Sequence, residues 1–249
     1  MENGTTYPNV CSNLLGKSYI NYGVGGESSY TILARMGVIT PIIPANVDCS
    51  SFELKDINGN KIEPLIQGEG GVNPIHIDND DTDYILSRNS DGTYGIKDKN
   101  DTILSVANYP RFIRMASASK QGDITVIFIG QNGARGTILL NQLRQAVHKI
   151  KNEKFIIIGL TTGTTESRKE LNDKMYDEFG NKFFDAGYYL SKFGMSIMNM
   201  TPNEEDIQSI NQGRIPPSLL VDGVHMNASG YSAMGTILAN FISSLYYNK

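Results

Sequence analysis

Four residues have types and spacings suited to acyl chemistry. Asp222 and His225 stand three apart in Asp222-Gly223-Val224-His225-Met226-Asn227, just ahead of an apolar stretch with helical spacing. At a helix entry such a carboxylate can hold one imidazole nitrogen and leave the other free as a base. The same pair also reads as a local cap beside a surface histidine. Asn132 lies in Ile129-Gly130-Gln131-Asn132-Gly133, at the end of an apolar run. Its side-chain amide can donate to a developing oxyanion, although Asn-Gly is also an ordinary turn dipeptide. Gly26 lies in Asn21-Tyr22-Gly23-Val24-Gly25-Gly26-Glu27-Ser28-Ser29, where a Gly-rich turn opens a helix and leaves a backbone N–H exposed to an anion. A plain tight turn reads equally well.

The composition narrows the other choices. The 249 residues include 22 Lys+Arg against 26 Asp+Glu, a net charge of −4, which argues against a basic nucleic-acid binder. Hydrophobic residues make up 40 % and charged residues 19 %, enough apolar material for a core and too little charge for a disordered chain. Cys11 and Cys49 are the two cysteines and have no Cys-x-x-Cys spacing, so neither a zinc site nor a disulfide framework is expected. No metal or cofactor is expected either. The Gly-rich turn lacks the third glycine of a dinucleotide fingerprint and has no Gly-Lys-Ser/Thr, which speaks against a nicotinamide enzyme and a P-loop. Of three histidines, His76 falls in a β-rich stretch and His148 on a periodic helix, so if a histidine acts as general base, His225 is the one. No segment reaches the ~18 apolar residues of a membrane span, and the first residues carry no export signal.

Three apolar, β-branched runs, 18–24, 124–130 and 155–160, read as buried parallel strands. Helical patterns cover 28–36, 137–151, 167–180 and 228–247. Strands alternating with helices predict a parallel sheet covered on both faces, with its site beyond the carboxyl ends of the strands. Residues 38–120 break this rhythm. Short alternating runs at 52–57, 61–66, 83–88, 102–106 and 111–115, with turn signals at Asn58-Gly59, Glu69-Gly70-Gly71, Asp91-Gly92 and 99–101, predict an all-β insert. A lid, a substrate-selecting wall, an oligomer contact and a plain embellishment are all open for it.

Taken together and in this order, these stretches resemble the SGNH hydrolases, the esterase and acylhydrolase superfamily also called GDSL lipases. The early part is carried by Asn3-Gly-Thr-Thr-Tyr-Pro8, Asn21-Tyr-Gly-Val-Gly-Gly-Glu27 and Ile32-Leu-Ala-Arg35, and the final block by Asp222-Gly-Val-His225, Asn227 and Gly230-Tyr231. The resemblance covers 1–37 and 121–249. It implies a three-layer αβα fold with a flavodoxin-like parallel sheet ordered 2-1-3-4-5 and the β-rich insert at 38–120. It also implies that the Gly26 N–H and the Asn132 amide form the oxyanion hole, that His225 is the base and that Asp222 orients it. The third block reads Gly130-Gln131-Asn132-Gly133 where members usually have Gly-x-Asn-Asp.

The Gly-Asp-Ser block that carries the family's nucleophile occurs nowhere in the 249 residues. Three explanations stand: a shortened chain, an inactive relative, or another serine, such as Ser28 or Ser29, in its place. The resemblance implies hydrolysis of a carboxylic ester through an acyl-enzyme, on a small-molecule or carbohydrate ester bearing a short acyl or acetyl group, or on a lysophospholipid. The alternative is a non-catalytic binding module built on the same fold.

Overall fold

A computed structural model of the chain describes residues 5–65, 75–79, 82–98, 100–104, 111–112, 122–150 and 153–247. Its elements are α1 (Tyr7–Leu15), α2 (Ser29–Arg35), β1 (Ile42–Ile43), β2 (Ile75–Asn79), β3 (Thr82–Arg88), β4 (Tyr94–Lys97), β5 (Arg111–Phe112) and β6 (Thr125–Ile127). There follow α3 (Gly136–Lys149), β7 (Phe155–Ile158), α4 (Thr165–Phe179), β8 (Phe183–Phe184), α5 (Ala186–Ile197), α6 (Glu204–Asn211) and α7 (Ala228–Ile242), with a π-helical turn at Ser243–Tyr247. The fold is mixed α/β.

The chain divides into two compact units. One comprises Met1–Ile20, Ile124–Gln131 and Lys154–Lys249; the other comprises Asn21–Asp123 and Asn132–Glu153. The expected boundaries lay at 37/38 and 120/121. Compactness instead groups 21–37 and 132–153 with the β-rich stretch.

The first unit is built on a parallel sheet ordered β6-β7-β8, in register Val126 with Ile156 and Ile158 with Phe184. All four residues of β7 are buried, as befits a middle strand covered on both faces. Ile156, Ile158 and Phe184 join Leu190 of α5 and Met234 and Leu238 of α7 in one core. Helix α7 also packs on α1, where Gly235 permits close approach: a Cβ there would lie 2.6 Å from Val10 Cβ. Helices α4 and α6 begin at capping boxes, Thr164 with Ser167 and Asn203 with Asp206. Buried Arg168 of α4 donates to the carbonyls of Gly163 and Gly213, at 2.8 Å for Gly213, and ties down the loop beyond β7.

The expected strand at 18–24 does not form. Ile20 is 68 % exposed, and no strand among the described residues pairs with 18–24. Extended chain without a ladder partner leaves its peptide groups to water and gains little from its apolar residues.

In the second unit the described part of 38–120 is all β. Strands β2, β3 and β4 form an antiparallel sheet, and β1 pairs with β5. The runs at 52–57, 61–66 and 102–106 contribute only isolated bridges, such as Phe52 with Tyr94 and Ile103 with Lys97. The turns at Gly59 and Gly92 take the positive φ their dipeptides predict, +81° and +88°. The Glu69-Gly70-Gly71 turn and the ends of several predicted runs lie outside the described residues. Leu54, Ile62, Leu86, Tyr94 and Ile96 pack with Ala34 of α2 in a second core.

Candidate functional site

Asp222 and His225 come together as the spacing predicts. Asp222 Oδ2 stands 2.7 Å from His225 Nδ1, while Oδ1 accepts the His225 backbone N–H at 2.8 Å and that of Val224 at 3.1 Å. The carboxylate therefore shapes the turn and orients the ring at once. Gly223 takes φ +82°, and Val221 N donates to His225 O at 2.7 Å, closing the loop. Asn227 fixes the loop's far end: Oδ1 caps α7 through Gly230 N, and Nδ2 donates to Ser218 O at 2.9 Å. The His225 backbone N–H, then its ring nitrogen and the Val224 N–H, hold the Asp222 carboxyl down at about 2. It is thus ionised at any neutral pH. Both side chains are exposed, the ring by 75 %, which leaves Nε2 open to a reactant.

In the second unit, Gly26 sits at the turn entering α2, exposed and with φ +85°. No acceptor among the described residues takes its N–H. The loop carrying Asn132 lies against this turn. Ser29 N donates to Asn132 O at 3.2 Å, and a Cβ on Gly133 would lie 3.2 Å from Ser29 N. The Asn132 side chain is exposed, and its amide bonds to none of the described residues. Gly26 and Asn132 are thus placed in one neighbourhood with donors to offer.

The two serines suggested as replacement nucleophiles are otherwise engaged. Ser29 is fully buried, and its Oγ accepts the Ala134 N–H at 3.3 Å. Ser28 caps α2, its Oγ accepting the Thr31 N–H at 3.3 Å. His148 is exposed near the end of α3, and His76 lies on β2, as expected of uninvolved histidines. Cys11 and Cys49 are buried free thiols, and burial pushes the Cys11 thiol up to about 11, far from nucleophilic. Among the described residues no group of three His, Cys, Asp or Glu could hold a metal ion, and no helix is long and apolar enough to cross a membrane.

The spacing did not reveal what holds the Gly26 turn. Glu27 and Arg35 form a buried ion pair, with Arg35 Nη2 at 2.6 Å and Nε at 2.8 Å from Glu27 Oε2, and the two side chains are 0 % and 3 % exposed. Glu27 Oε1 accepts the Leu65 N–H at 2.9 Å, Thr31 Oγ1 accepts the Glu63 N–H at 2.9 Å, and Tyr94 Oη donates to Pro64 O at 2.8 Å. Burial outweighs the lowering influence of Arg35 and the Leu65 N–H, and raises the Glu27 carboxyl above its ordinary value. The signal was present: Arg35 stands in the apolar stretch Ile32-Leu33-Ala34-Arg35, and a charge on a buried helix face needs a partner.

Comparison with family models, curated proteins and solved structures returned no match.

Proposed function

We propose that the chain is an ester hydrolase of the SGNH kind, acting through an acyl-enzyme on a carboxylic ester with a short acyl group, such as an acetylated carbohydrate. The observation that carries this reading is the Asp222–His225 pair, 2.7 Å apart with Nε2 left open. The parallel order β6-β7-β8 suits the 3-4-5 side of the sheet that the resemblance implies. Within that reading the fold is the three-layer αβα type, with the β-rich segment as an addition.

Neutral His225 takes the proton of the attacking serine hydroxyl at Nε2, and Asp222 stabilises the imidazolium that forms. The resemblance assigns the tetrahedral oxyanion to the Gly26 N–H and the Asn132 amide, and losing one such donor costs about 10²–10³ in rate. The imidazolium then protonates the leaving alkoxide. Water attacks the acyl-enzyme with His225 again as base.

A second reading, an inactive binding module, draws support from Ser28 and Ser29, whose hydroxyls are committed to α2 and to Ala134 N. A fluorophosphonate probe with peptide mapping separates the two. An adduct on one serine that is lost in His225→Ala, together with turnover of p-nitrophenyl acetate above that variant, is the expected result. Folded protein that takes no adduct and hydrolyses no ester beyond His225→Ala overturns the esterase reading and leaves the binding module.

A further inference from the structure

The Glu63-Pro64-Leu65 segment is fastened at three consecutive residues, Glu63 and Leu65 to the Gly26 turn and the helix it opens, and Pro64 to β4. Thr31 takes the Glu63 N–H, Tyr94 holds the Pro64 carbonyl, and Glu27, itself braced by Arg35, takes the Leu65 N–H. These bonds fix Leu65, half-buried, against Gly26. A Cβ on Gly26 would come within 3.3 Å of Leu65 Cδ1, so this methyl group fills the space on the Cβ side of Gly26. An oxyanion bound to the Gly26 N–H lies about 2.9 Å from that nitrogen, with the carbonyl carbon one bond beyond. A substituent on that carbon turned toward the glycine meets Leu65.

Of the two substituents, the alkoxy oxygen must take up a proton as it leaves and suits a polar surrounding. The acyl chain needs no polar partner and suits an apolar methyl group. We propose, resting on the esterase reading above, that Leu65 is the specificity-determining wall for the acyl chain, and that the clamp from Glu27, Thr31 and Tyr94 makes this wall unyielding and restricts substrates to short acyl esters. The β-rich stretch is on this view a substrate-selecting element.

The test compares kcat/KM for p-nitrophenyl acetate and p-nitrophenyl hexanoate in the full chain, in Leu65→Ala and in Leu65→Phe. Removing the wall is expected to raise the hexanoate-to-acetate ratio by about tenfold or more, the scale of a methylene or two in an apolar pocket. Leu65→Phe is expected to lower it. If turnover depends on His225 but the ratio moves less than about twofold in both variants, Leu65 is no wall while the esterase reading stands. If no ester is turned over beyond the His225→Ala background, the esterase reading falls and Leu65 falls with it.

Discussion

Replacing Arg35 by Met tests whether the Gly26 turn is held electrostatically. Glu27 Oε2 would lose both guanidinium contacts, at 2.6 and 2.8 Å, and keep only the Leu65 N–H on Oε1. A buried carboxylate stripped of its partner costs about 3–5 kcal/mol. With a urea slope of roughly 2 kcal/mol per molar, the unfolding midpoint should fall by roughly 1.5–2.5 M. The chain has no Trp, so far-UV circular dichroism is the natural probe. The loss should depend on pH in one direction. Burial already raises the Glu27 carboxyl above 4.5, and removing Arg35, a lowering influence, raises it further. A group whose folded value is raised is least costly below its unfolded value, and its cost grows as pH rises through the folded value. The deficit of Arg35→Met relative to wild type should therefore be larger at pH 8 than at pH 5. Combining it with Glu27→Leu removes the orphaned charge and should recover most of the loss. The Leu65 N–H, now without an acceptor, should leave about 1–3 kcal/mol unrecovered. A midpoint shift under about 0.5 M, or a double variant worse than both single ones, would refute the reasoning.

Asp222→Asn should slow ester turnover by roughly 10²–10⁴ while leaving the melting temperature nearly unchanged; wild-type turnover would reduce Asp222 to a turn former. The Asp222 carboxyl is depressed to about 2, so its stabilisation of the loop is complete above the ordinary 3.8 and lost as pH falls through about 2. Amide exchange at Val224 and His225 should accordingly stay slow at pH 3 and quicken toward pH 2, and full loss of protection by pH 4 would contradict the geometry. Gly235→Ala would set a Cβ 2.6 Å from Val10 Cβ and 2.8 Å from Tyr7 O. The expected cost is about 1–3 kcal/mol, with α1 displaced and the buried Cys11 thiol newly reactive toward a disulfide reagent. Unaltered stability and thiol reactivity would show that α1 shifts freely.

The legible parts of this chain are those with long local patterns. Helices α3, α4 and α7 are long, 14, 15 and 15 residues, and the structure places them close to their expected limits, although α4 buries Arg168 and Asn172 beside Met175 and Phe179. Asp222 and His225 were legible because three residues of spacing and an adjoining helix leave little freedom. Helices α1, α5 and α6 were missed. Helix α5 buries a periodic face of Ala186, Leu190 and Met195, so its signal was present, and its start is capped by Asp185 Oδ1, which accepts the Tyr188 N–H. Strand β8 has two residues, Phe183 and Phe184, and exists because β7 supplies a ladder. The strand expected at 18–24 fails for the opposite reason. Local pattern suggests a strand, but only a neighbour makes one. The clamp on Leu65 joins residues far apart in sequence, and nothing local announces it.

The contact between α1 and α7 joins segments far apart in sequence, Val10 against Gly235. Helix α1 leaves the ribosome well before α7, and the side that packs on Gly235 must wait for all the intervening residues before that partner exists. Each doubling of the intervening loop adds only about 0.6 kcal/mol to the entropy of closure, so the delay is a matter of time more than of energy. Until α7 emerges, Met234 and Leu238 are missing from the core that Ile156, Ile158 and Phe184 have begun. Helix α7 is therefore the piece that completes this core. A stop codon just before Ala228 would remove α7 and the turn after it, and leave α1 with the Tyr7–Phe128 contact but without the surface around Gly235.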